Sequence, residues 1–161
     1  MSQDTLFQLG MGPVSLNATQ TEEAHVVTRA PGIAERDDQD YFIEKDGITC
    51  AGTHLIIDLF DARRLDDIDH VARTLIDCVD AAGATLLHMH LHPFEPNGGI
   101  SGVAVLAESH ISIHTWPERG YAALDAFMCG NARPERCVDV LRAAFTPQRV
   151  NVREILRGRG A

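Results

Sequence analysis

The chain has 161 residues, 45% of them apolar, with a net charge of -9 and a pI of about 5.2. That is enough chain for one compact domain with its own core, and the acidic balance makes phosphate backbones and anionic lipid surfaces poor partners. No apolar run approaches the roughly 20 residues of a membrane span, and the Met-Ser-Gln-Asp start lacks the basic and apolar parts of a secretion signal, so a cytoplasmic protein is expected.

Residues 1–46 mix Gln, Thr, Gly, Pro and acids without a sustained period and include the charge run Asp37-Asp38-Gln39-Asp40. They predict a partly disordered extension that packs at most one short piece, Tyr41-Phe42-Ile43, against a domain spanning 47–161. Thr53–Phe60 is apolar and β-rich and predicts a strand. Leu65, Ile68, Ala72, Leu75, Ile76 and Val79 recur at intervals of three and four, which predicts a helix with Asp66 and Asp67 in its first turn and Gly83 as its stop. Strands follow at Thr85–His92, Val103–Ala107, Ile111–Trp116 and Tyr121–Cys129, with a loop over Pro93–Gly99 and Glu108-Ser109-His110 between the middle two. A second helix opens at Pro134, carries Val138, Leu141 and Phe145 on one face and is closed by Pro147, and Arg149–Ile155 alternates as a last strand. Adjacent strands joined by short turns predict an antiparallel sheet. Two amphipathic helices then cover one face, which gives an α+β two-layer sandwich. The second sheet face must be wet or covered, and a dimer stacking sheet on sheet would cover it.

Cysteines at 50, 78, 129 and 137 match neither zinc-knuckle nor disulfide-scaffold spacing, so free thiols are expected. His88, His90 and His92 alternate, so on a strand they share a face and could hold zinc; polar-face or interfacial histidines are the commoner outcome of that pattern, and no metal is expected. Gly98-Gly99-x-Ser101-Gly102 is not followed by the Lys-Ser/Thr helix start of a phosphate cradle. Ser109 lies close to His110 and His114. Serine beside histidine can be a nucleophile with its base, or a hairpin serine with a core histidine. The Gly-x-Ser-x-Gly elbow of a hydrolase is absent.

Glu108-Ser109-His110, followed by Ile113-His114-Thr115-Trp116-Pro117-Glu118 and Cys129-Gly130, resembles the signature of the prokaryotic S-adenosylmethionine decarboxylase proenzymes. Gly52-x-His54-Leu55, Gly83-Ala84-Thr85, Ser101-Gly102-Val103, Gly120-Tyr121-Ala122-Ala123 and Arg149-Val150-x-Val152 extend the likeness over residues 52–159. The resemblance implies self-cleavage between Glu108 and Ser109. The serine hydroxyl attacks the Glu108 carbonyl, an ester forms, and elimination and hydrolysis leave ammonia and a pyruvoyl group at residue 109. It further implies that this ketone condenses with the substrate amine as a Schiff base and withdraws electrons while carbon dioxide leaves, giving decarboxylated S-adenosylmethionine for polyamine (spermidine) synthesis.

Residue by residue, the resemblance makes His114 and Ser101 the processing pair and Cys129 the proton donor to the α-carbon. A thiol with an ordinary pKa near 8.5 is protonated at neutral pH and can donate. Glu118 matches the acid that binds ribose hydroxyls, Phe94 the aromatic that stacks on adenine, and Trp116 lies beside them. The loop His92–Ser101 is one residue longer than the family form, and Glu95 stands where an apolar residue is expected. Arginine or ornithine is therefore a competing substrate, with Glu95 meeting a distal cation. Spacing adds an independent point: residues five apart on a strand face opposite sides and stand roughly 16 Å apart. Ser109 and His114 of one chain cannot readily meet, whereas a two-fold homodimer could bring His114 and Ser101 of one copy to Ser109 and Cys129 of the other. From other classes, a non-enzymatic metal-binding module on His88, His90 and His92, or a relative that no longer processes, remains the alternative.

Overall fold

A computed structural model describes residues 25–28 and 41–161; the expectation of disorder for the rest of 1–46 lies outside the described residues. The elements in chain order are β1 (His25–Thr28), β2 (Ile43–Lys45), β3 (Ile48–Cys50), β4 (Gly52–Phe60), α1 (Ile68–Ala82), β5 (Leu86–Pro93), β6 (Ile100–Leu106), β7 (Ser109–Trp116), a 3-10 turn (Pro117–Arg119), β8 (Tyr121–Met128), α2 (Arg136–Phe145) and β9 (Arg149–Arg157). Seven strands form one antiparallel sheet in the order β1-β5-β6-β7-β8-β4-β9, and β2 and β3 form a separate hairpin.

The period of two decides which face each strand buries. Leu55, Ile57 and Leu59 of β4, Ile111 and Ile113 of β7, and Leu124, Ala126 and Met128 of β8 meet Val71, Leu75, Cys78 and Val79 of α1 and Leu141 and Phe145 of α2 in a single core. The alternate positions give the other face a polar row: His54, Asp58, His110, Ser112, His114 and Asp125. This is the expected α+β two-layer sandwich with both helices on one face. No helix among the described residues is long and apolar enough to cross a membrane.

From β4 onward the strands and helices fall where the periodicity puts them, with shifts that have local causes, whereas β1, which pairs with β5 at the sheet edge, and the β2–β3 hairpin were not expected. Helix α1 begins at Ile68, and Asp67 is its cap: the carboxylate accepts from the His70 N–H at 3.0 Å. An extended Asp that satisfies an orphan amide stabilises a helix start better than one inside it. Gly83 ends α1 in the left-handed region, at φ 70°, as expected. The β6–β7 connection is shorter than the sequence suggested: only Ala107 and Glu108 form the turn, and Ser109 and His110 already belong to β7. The β2–β3 hairpin straddles the boundary expected at 46/47. Its two-residue turn, Asp46-Gly47, has φ values of 52° and 74°, the left-handed pair that an Asp-Gly turn favours.

Candidate active site

The Ala107-Glu108 turn holds Glu108 from two sides. Its carboxylate accepts from the Thr85 N–H at 2.8 Å and from Thr85 Oγ1 at 3.3 Å. Its backbone carbonyl accepts from the Cys129 N–H at 3.1 Å. Ser109 then enters β7 with φ 140°, a conformation that a residue with a Cβ rarely adopts and that costs on the order of 1–3 kcal/mol. The peptide between Glu108 and Ser109 therefore combines a strained serine with a carbonyl polarised by a fixed amide donor. Ser109 is the register partner of Met128, which places Cys129 beside the turn. The Cys129 thiol is half-buried; burial pushes its pKa up, the Glu108 charge pushes it the same way, and a backbone hydrogen bond opposes them only in part. The protonated form is favoured, so the thiol has a proton to give.

A second group gathers at the other end of β7. Ser101 and His114 are register partners across β6 and β7, and Ser101 Oγ lies 2.8 Å from His114 Nδ1. Gly102, next to Ser101, lets β6 lie close against β5 on its other side, because a Cβ there would fall 2.6 Å from the His90 carbonyl oxygen. Phe94, Asn97, Ser101, His114, Trp116 and Glu118 surround a cavity of about 380 Å³. Its walls are fixed by backbone: Phe94 N–H donates to Gly99 O at 2.7 Å, Gly98 N–H to Phe94 O at 2.8 Å, and Thr115 Oγ1 both accepts from the Ile100 N–H and donates to Leu65 O at 2.8 Å. Phe94 and Trp116 are 49% and 42% exposed; two large apolar rings left open around a carboxylate suit a ligand with a flat base and hydroxyls.

Ser109 and Cys129 do not line this cavity, and Glu95 is exposed and outside it. A larger cavity of about 710 Å³ lies behind the Ala107-Glu108 turn, between Tyr41–Glu44 and Thr85, Glu108 and Gly130, and is lined by neither histidine nor cysteine. His88, His90 and His92 alternate with buried Met89 and Leu91 on β5 as expected, yet they do not form a ligand cluster. Among the described residues the one group of three potential metal ligands is His54, His110 and Asp125. No reading of the sequence anticipated it, because β4, β7 and β8 are brought together only by the sheet; the signal available was a histidine or acid at a polar-face position on each strand. All four cysteines are free thiols.

Residues 53–158 match the family model described as S-adenosylmethionine decarboxylase. The chain is similar to the S-adenosylmethionine decarboxylase proenzyme of Thermomicrobium roseum, 46% identical over 108 residues (66% of this chain and 93% of the relative), and to that of Parasynechococcus marenigrum, 49% identical over 109 residues (66% and 84%). The crystal structure of the adenosylmethionine decarboxylase from Aquifex aeolicus superposes with a TM-score of 0.62 at 33% identity, covering 68% of this chain and 92% of that one. The fold and these likenesses define a carboxy-lyase of the two-layer sandwich type. The chain belongs to the S-adenosylmethionine decarboxylase family.

Proposed function

We propose that this chain is a proenzyme that cuts itself between Glu108 and Ser109 and then decarboxylates S-adenosylmethionine, supplying polyamine synthesis from the cytoplasm. The observation that carries the reading is the Glu108–Ser109 peptide itself: a serine at φ 140° next to a carbonyl held 3.1 Å from an amide donor. Attack by Ser109 Oγ on the Glu108 carbonyl carbon breaks the peptide C–N bond and forms an ester, and it relieves the serine's strain. The Cys129 N–H is placed to stabilise the negative charge that develops on that oxygen. Loss of the Ser109 α-proton expels the Glu108 carboxylate, and water then releases ammonia, leaving a pyruvoyl group at residue 109. That group supplies an electrophilic ketone and an electron sink, which no ordinary side chain offers.

His114, bonded to Ser101, is a base of fixed orientation for the elimination. Phe94 stacks on the purine and Glu118 accepts the ribose hydroxyls, with Trp116 closing the side of the cavity. Cys129, held protonated, returns a proton to the α-carbon. Ser109 and His114 lie near opposite ends of β7, five positions apart, so roughly 16 Å separates them. A homodimer with the polar sheet faces together joins the two half-sites, each from a different copy. The lining of the 380 Å³ cavity favours S-adenosylmethionine over arginine or ornithine, since it pairs exposed rings with a carboxylate and leaves Glu95 outside. Intact mass under denaturing conditions tests the cleavage, and carbon dioxide release from S-adenosylmethionine, arginine and ornithine side by side tests the substrate. One persistent 17.6 kDa chain in active protein would overturn the reading.

A further inference from the structure

The decarboxylase reading leaves one mechanical problem, and the polar sheet face carries an answer to it. Once the Glu108–Ser109 bond is cut and the nitrogen of residue 109 has left as ammonia, residue 109 keeps a single covalent neighbour, His110. A strand end with nothing tied to it frays, yet the ketone must stay beside Cys129. The side chain of His110 is not free. His110 Nε2 lies 3.1 Å from Asp125 Oδ2 and His54 Nε2 lies 2.9 Å from the same oxygen. Ser112 Oγ donates to Asp125 Oδ1. Arg157 Nη1 lies 3.1 Å from His54 Nδ1.

Donor chemistry fixes the direction of this chain. Arginine has only donors, so His54 Nδ1 accepts and its proton sits on Nε2, aimed at Asp125. Asp125 then accepts from His54, His110 and Ser112 together. Burial alone would raise its pKa, but those three hydrogen bonds outweigh it, so the carboxylate is held ionised. The same arrangement argues against a cation: although the ligand atoms of His54, His110 and Asp125 lie within 4.8 Å of one another, His54 Nε2 could ligate only by moving its proton to Nδ1, against the Arg157 N–H.

We propose that Asp125 is a positioning residue for the reaction, clamping His110 so that the ketone at residue 109 is held against Cys129 after the chain is cut. Asp125 precedes Cys129 by four positions on the β8 side, and Ser109 pairs with Met128, so one carboxylate ties the strand carrying the ketone to the strand leading to the proton donor. His54 fixes Asp125 from β4, which lies in the 1–108 fragment and is flanked by β8 and β9 of the 109–161 fragment. The clamp therefore spans both products of cleavage.

The inference rests on the decarboxylase reading, and the test separates the two. Full-length His110→Gln, His110→Phe and Asp125→Asn proteins are compared with the parent for cleavage by denatured mass, for ketone content by hydrazine adduct, and for kcat and KM with S-adenosylmethionine. Gln places an amide N–H near the position of Nε2, whereas Phe keeps the ring without the donor. All should cleave and carry the ketone. His110→Phe and Asp125→Asn should lose about tenfold in kcat with KM within about threefold, and His110→Gln should recover most of the loss. A His110→Phe protein with parental kcat, or Phe and Gln equally impaired, overturns the clamp. Should His110→Phe not fold, parental kcat in Asp125→Asn has the same force. Stoichiometric zinc in active parent protein, with activity lost to a chelator, also overturns it. A parent that releases no carbon dioxide from S-adenosylmethionine refutes the decarboxylase reading instead.

Discussion

Ser101 Oγ and His114 Nδ1 meet at 2.8 Å as register partners on two neighbouring strands, so the pair is set by the β6–β7 ladder and needs no loop to form it. The hydroxyl orients the imidazole, and its loss should be felt through the histidine. Ser101→Ala should slow self-cleavage about 10-fold and His114→Ala about 10²-fold or more, with the double variant no worse than His114→Ala alone. Time courses of fragment appearance by denatured mass check this; additive effects would show that the two side chains act separately.

Ser109→Ala should abolish both cleavage and turnover, because the proposed mechanism takes the nucleophile and the ketone from that side chain. The purified protein should remain a 17.6 kDa chain that does not react with hydrazine. Normal turnover in this variant would refute the role of Ser109.

Cys129 contributes in two separable ways. Its backbone N–H holds the Glu108 carbonyl, and alanine keeps that amide, so Cys129→Ala should still cleave. It lacks the thiol, so turnover should fall about 10²-fold or more. The sign of the pH dependence follows from the raised thiol pKa. A donor is competent below its pKa, burial and then Glu108 move that pKa above the ordinary thiol range, and on the proposed mechanism cleavage adds a carboxylate where the Glu108 carbonyl was. The kcat of the parent should therefore hold through pH 9 and decline only above it; a decline centred near pH 7 would exclude the thiol as the acid.

Co-expression tests the shared site. In a dimer of one Cys129→Ala chain and one Glu118→Gln chain, one site collects both defects and the other collects neither, if Ser109 and Cys129 work with His114 and Glu118 of the opposite copy. The mixture should regain a substantial part of parental turnover, well above either variant alone. No recovery in a verified mixed dimer would place each site within one chain.

Asp67 provides a stability measurement away from the site. Its carboxylate binds Arg64 and caps α1 through the His70 amide, in that order of effect, and its pKa is lowered from 3.8. A lowered folded-state pKa means stability present above the unfolded value and lost as pH falls through the folded one. Asp67→Ala should cost about 1 kcal/mol at pH 7, with the difference from the parent shrinking below pH 3.8 in denaturant unfolding.

The local elements were open to sequence reasoning because each is written in a short-range period. The alternation through β4, the three-four spacing of α1 and the stop at Gly83 need no knowledge of distant residues. The β2–β3 hairpin carries an Asp46-Gly47 turn signal, but its strands, Ile43–Lys45 and Ile48–Cys50, are three residues each, too short to show a period within a polar, irregular stretch. The family motifs located Ser109, His114 and Cys129 for the same reason, as residues in fixed local strings.

What the sequence alone determined, then, was which short segments are strands or helices and which residue types are present for chemistry. Tertiary structure decided who meets whom: that Glu108 O faces the Cys129 amide, that His54, His110 and Asp125 converge from three strands, and that His88, His90 and His92 do not. The physical reason is that strand pairing is non-local. Hydrophobic period says which face a residue occupies, but register and strand order, which choose its neighbours, are settled only when the whole sheet packs against α1 and α2.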